Sequence, residues 1–102
     1  NLLGINKLGN EAFSGCMNLK EAYIGLGITS IGTNCFYQNN ALEVITFGSL
    51  PNDVCGKEIL YECKNLKTIN YLGLKESWDY RLGTNFLNDN KLTQHIDINF
   101  IY

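Results

Sequence analysis

The residues best suited to chemistry are four cysteines, Cys16, Cys35, Cys55 and Cys63, and a single histidine, His95. Thiolates and imidazoles are zinc ligands, and structural sites draw them from closely spaced pairs. No Cys-x-x-Cys pair occurs in this chain, so the spacing points away from a metal. Four cysteines in a short chain can also form two disulfides. His95 and Asp97 stand two residues apart, a spacing that puts both on one side of a strand, roughly 7 Å apart. A carboxylate there could orient an imidazole, but no nucleophile lies in a recognisable setting, and the pair reads as solvated surface. Gly25-Leu-Gly27 followed by Gly32 imitates a phosphate loop without its spacing or its strand–turn–helix context. It reads as turn glycine. Asn88-Asp-Asn90 lacks the spacing and closing Glu of a calcium loop, and reads as a turn. Trp78 and Tyr80 flank Asp79 and have two readings, rings packed in a terminal cap or exposed anchors for a ligand. No catalytic residue, metal or cofactor is indicated.

Positioning must therefore come from the fold. The chain has 102 residues, 45% hydrophobic and 18% charged, which fits one globular domain. Its net charge of −2 offers no basic field for phosphates, which argues against nucleic acid. No apolar run approaches the roughly 18 residues of a membrane span.

Sliding the chain along itself reveals a period of 23 residues, lengthening once to 24. The units are 8–24, 31–47 and 55–71. Gly9, Gly32 and Gly56 coincide, as do Phe13, Phe36 and Leu60, then Leu19, Leu42 and Leu66. The closing apolar pairs are Ala22 and Ile24, Ile45 and Phe47, Ile69 and Tyr71. Alternation at these ends predicts half-buried strands, and each glycine opens a segment only long enough for a short helical or 3₁₀ turn. One such unit cannot bury its own apolar side, whereas stacked units share a core. The expected fold is an α/β-type repeat solenoid, mostly β and coil, with parallel strands about 4.8 Å apart.

In this register Cys16 and Cys63 lie two coils apart, roughly 9–10 Å, beyond the limit of about 7 Å between Cα atoms for a disulfide. Cys35 shares the small-residue column of Ala12, and Cys55 the apolar column of Leu8 and Ile31. All four cysteines thus read as small buried hydrophobes. Residues 72–102 read as a degenerate fourth coil and C-terminal cap, preceded by an excursion over 72–81. There Leu92, Ile96 and Ile98 align with Leu42, Ile45 and Phe47. That alignment puts His95 in the outward column of Glu21, Val44 and Thr68, and Asp97 in that of Tyr23, Thr46 and Asn70. The chain opens mid-unit on Asn1-Leu-Leu-Gly-Ile, which reads as a fragment lacking N-terminal coils.

The first unit, Leu8-Gly-Asn-Glu-Ala-Phe-Ser-Gly-Cys-Met-Asn-Leu19, resembles the BspA-like leucine-rich repeat, whose pattern is close to I-G-x-x-A-F-x-x-C-x-x-L-x-x-I-x-I-P. The second unit departs from it with Cys35 and Asn39, and the third with Ile59 and Leu60 while keeping Cys63. The resemblance covers about residues 5–71. It implies a short leucine-rich repeat array in which Cys16, Asn39 and Cys63 form an inward polar ladder bonding loop backbone. It also implies a cell-surface or secreted setting and adhesion-type protein binding. The outward strand residues Glu21, Tyr23, Val44, Thr46, Thr68 and Asn70 are the candidate ligand-binding face, with His95, Asp97, Trp78 and Tyr80 as further candidates. The expected function is a protein-interaction module in a larger surface protein and not an enzyme. Alternatives are a carbohydrate-binding face or a purely structural spacer.

Overall fold

The computed structural model describes residues 7–8, 13, 15, 18–25, 30–48, 58–82 and 85–101. Among these, in chain order, lie β1 (Lys7–Leu8), β2 (Glu21–Ile24), β3 (Ser30–Ile31), β4 (Val44–Phe47), β5 (Thr68–Tyr71), α1 (Lys75–Leu82), α2 (Phe86–Asp89) and β6 (Asp97–Phe100). β2, β4, β5 and β6 form one parallel sheet in that order, and β1 pairs with β3 in a second. Parallel neighbours require a crossover between strands, and here each crossover is one coil of the repeat. Ala22 stands opposite Ile45 and Ile45 opposite Ile69, so the sequence period is the pairing register.

The connection from turn to strand runs through i→i−3 backbone bonds, the 3₁₀ spacing. Tyr37 donates to Asn34 O, Asn39 to Phe36 O and Leu42 to Asn39 O, and the next coil repeats them at Tyr61, Cys63 and Leu66. Left-handed residues break these runs before they become helices: Asn34 and Gln38 in one coil, Glu58 and Glu62 in the next, with φ between 51° and 58°. Gly15, at φ 68°, fills the position of Gln38 and Glu62 at no steric cost. A second ladder ties the coils together on the turn side. Phe13 N–H donates to Cys35 O and Gly15 N–H to Tyr37 O, and Phe36 and Gln38 donate likewise to Ile59 and Tyr61.

The core consists of the repeat columns. Phe36 and Leu60, Leu42 and Leu66, Ile45 and Ile69, and Ile24 and Phe47 are buried. Phe13, Leu19, Ile98 and Phe100 pack against this core and are half-buried. Phe13 stacks on Phe36 with ring centroids 5.3 Å apart, and Tyr37 on Tyr61 at the same spacing. The inward ladder is present where it is described: Asn39 Nδ2 donates to Phe13 O at 3.4 Å, and Cys63 Sγ to Phe36 O at 3.0 Å. Cys35 and Cys63 are buried, reduced thiols. Cys16 and Cys55, the glycines Gly9 and Gly56, and most of the turn around Pro51 lie outside the described residues.

The tail differs from its sequence reading in three ways. The excursion contains the helix α1, whose eight residues include no Gly, Pro or β-branched side chain and carry a Lys75–Asp79 pair at i,i+4. Gly73 allows the chain to turn into it, since a Cβ there would lie 2.7 Å from the Tyr71 ring. Asn88 and Asp89 belong to α2 rather than to a turn. The third difference is register: Asp97 stands opposite Thr68, Ile98 opposite Ile69, Asn99 opposite Asn70 and Phe100 opposite Tyr71. His95 is therefore not in the column of Glu21, Val44 and Thr68; Asp97 occupies it, and Asn99 takes the place expected for Asp97. One residue separates Leu66 from β5, but four separate Leu92 from β6. Within that longer link Gln94 Nε2 donates to both Cys63 O and Leu66 O at 3.0 Å, so the link bends back to satisfy carbonyls of the coil before it.

Candidate functional site

Side chains alternate across a strand, so burying Ala22, Ile24, Ile45, Phe47, Ile69 and Tyr71 turns the intervening residues outward. Parallel register then aligns them in two columns across the sheet. Glu21, Val44, Thr68 and Asp97 form one, and Tyr23, Thr46, Asn70 and Asn99 the other. The structure thus brings together the six outward residues expected from sequence and Asp97 with them. Glu21 and Asp97 are exposed at the ends of their column, while Val44 and Thr68 between them are half-buried by their neighbours.

The second column is internally bonded. Asn70 Nδ2 donates to Thr46 Oγ1 at 3.2 Å, and Asn99 Nδ2 donates to Asn70 Oδ1 at 2.9 Å. Three strands are therefore linked by a row of hydroxyl and amide groups whose rotamers are fixed by one another. Tyr23, half-buried, continues the row on β2. The sequence reading missed Asn99, which the alternation of Ile98 and Phe100 could have revealed had the strand been placed two residues later.

Beside these columns Lys67 Nζ and Glu43 Oε1 form a solvated ion pair at 3.7 Å. His95 Nε2 and Asp97 Oδ1 lie 2.9 Å apart, both largely exposed, at the edge of the sheet. Solvated pairs of this kind stabilise little. Among the described residues no group of three His, Cys, Asp or Glu side chains is placed to hold a metal ion. No helix among them is long and apolar enough to cross a membrane.

Trp78 and Tyr80 part company. Trp78 is buried and contacts Phe47, Tyr71, Phe86 and Phe100 at centroid distances of 5.6–6.1 Å. It is cap packing, and the anchor reading does not hold for it. Tyr80, on the solvent side of α1, is 85% exposed, so the cap reading does not hold for it. Residues two apart on a helix do not share a face.

One residue that the sequence reading left in a turn, Asn90, proves structural. It is buried, donates from Nδ2 to Phe86 O at 2.8 Å, and accepts Leu60 N–H on Oδ1 at 3.0 Å. A family model described as "BspA type Leucine rich repeat region (6 copies)" matches residues 3–99. No curated protein and no solved structure matches the chain.

Proposed function

Because the chain belongs to the BspA-type leucine-rich repeat family, we propose that it is a non-catalytic protein-interaction module whose ligand lies across the outward face of β2, β4, β5 and β6. Solenoid surfaces commonly bind proteins through many side chains spread over successive coils. The observation that carries this reading is the bonded row Thr46, Asn70 and Asn99 with Tyr23 beside it. Groups already held by neighbours lose little freedom when a ligand arrives, which favours affinity. Tyr23 adds a rigid ring with a polar tip, the residue type most often found at binding hot spots. The module belongs to a larger cell-surface or secreted protein and serves an adhesion-type role.

A carbohydrate ligand is the second reading, favoured by the same amide row, since amides bond sugar hydroxyls readily. A glycan array run beside a pull-down of extracellular proteins separates the two. Saturable retention of a protein by the wild-type chain, lost in Tyr23→Ala, supports the first reading. Retention of a glycan alone supports the second, and silence in both leaves a structural spacer.

A further inference from the structure

We infer that the turn side of the stack carries a second binding site, a polar cleft between the second and third units that takes a neutral saccharide. The cleft measures about 420 Å³ and is lined by Gln38, Asn40, Glu62, Lys64 and Asn65, a volume within the range of about 300–1,000 Å³ for small-molecule sites. None of these residues belongs to a strand. The site is therefore separate from the outward face and does not rest on that face binding anything. It also lies within the stack: Gly15 N–H bonds Tyr37 O on one side of the two coils, and Glu62 N–H bonds Asn90 O on the other.

Two bonds hold the walls of the cleft across the boundary between coils. Gln38 Nε2 donates to Glu62 Oε1 at 2.8 Å, and Asn65 Nδ2 donates to Asn40 O at 2.7 Å. Gln38 and Glu62 have left-handed backbones, φ 51° and 57°, where the first unit has Gly15. Glycine adopts that conformation freely, so two long polar side chains are kept there at a cost in backbone strain.

These bonds fix orientation without using the groups up. Gln38 keeps its carbonyl oxygen, Glu62 its second carboxylate oxygen and Asn65 its carbonyl. Lys64 has no ion-pair partner among the described residues. The cleft thus offers donors and acceptors together, with one charge of each sign. An anionic ligand meets Glu62, a cationic one meets Lys64, and an apolar one strands every polar group. A sugar hydroxyl both donates and accepts, and so matches carboxylate, ammonium and amide alike.

Titration of the full 102-residue chain with lactose, maltose and cellobiose, followed by backbone amide shifts, tests the site. At least one sugar should saturate at millimolar concentration, with shifts at residues 38–40 and 62–65. Gln38→Gly relieves the strained backbone and removes the amide, so its melting temperature should hold while affinity falls about tenfold. Lys64→Ala should weaken binding similarly, and Asn70→Ala on the outward face should bind like wild type. No saturation by any of the three sugars would overturn the inference. So would undiminished binding by both Gln38→Gly and Lys64→Ala, shifts confined to the strands, or saturation by the zwitterion glycylglycine alone.

Discussion

Asn90 Oδ1 accepts the backbone N–H of Leu60 at 3.0 Å, the role that the main-chain carbonyls of Cys35 and Ile59 fill for Phe13 and Phe36 in the coils before it. The main-chain carbonyl of Asn90 also accepts Glu62 N–H. One residue therefore completes the turn-side ladder of the third coil. Asn90→Ala leaves Leu60 N–H buried without a partner and should cost about 1–3 kcal/mol. Urea unfolding checks this against Asn88→Ala, whose exposed side chain should matter by less than about 0.5 kcal/mol. Equal effects would refute the capping role.

Phe36 is fully buried and stacked on Phe13, with Leu60 in the coil beyond. Phe36→Ala should cost about 3–5 kcal/mol, a large share of the stability of so small an array. Trp78→Ala should cost a similar amount through loss of its four ring contacts. Tyr80→Ala, beside it in sequence, should leave the melting temperature unchanged. A destabilising Tyr80→Ala would mean that α1 packs through a different face.

Burial pushes the Cys63 thiol up from 9.0 to about 11, against an opposing backbone hydrogen bond from Asn39. The unfolded chain thus ionises first on raising the pH. The stabilising contribution is fully present below about pH 9 and lost as the pH climbs through about 11, a decline of about 2–3 kcal/mol. Comparing the pH dependence of unfolding for wild type and Cys63→Ala isolates this slope from other titrations. The slope difference should vanish below pH 9. Native-state labelling should leave Cys35 and Cys63 unreacted until denaturant is added; rapid labelling of either would contradict the buried-column register.

The repeat was legible because one period governs burial, turn and strand together. Gly32, Phe36, Leu42, Ile45 and Phe47 are answered in the next unit by Gly56, Leu60, Leu66, Ile69 and Tyr71, and stacking gives each column one environment. The inward bonds of Asn39 and Cys63 followed from the same column. The tail was harder to read because its residues depart from the columns of the earlier units. Gln94 and Asn90 bond the last coil's backbone, and accommodating them lengthens the link before β6. That insertion moved His95 out of the strand and brought Asn99 into the row. The Ile96 and Ile98 alternation was real but fitted two registers, and the pairing of Asp97–Phe100 with Thr68–Tyr71 distinguishes them. Trp78 could not be placed without knowing that α1 folds over the open core.

One comparison tests the outward face as the binding surface most directly. Partner retention from extracellular proteins should be quantified for wild type, Tyr23→Ala, Asn70→Ala and Tyr80→Ala, with melting temperatures measured on the same samples. Tyr23→Ala and Asn70→Ala should keep near-native melting temperatures, and Tyr23→Ala should weaken retention by about 1–3 kcal/mol. Tyr80→Ala should be silent. Full retention by both face variants, with loss in Tyr80→Ala at unchanged stability, would move the binding surface to α1 and contradict the account.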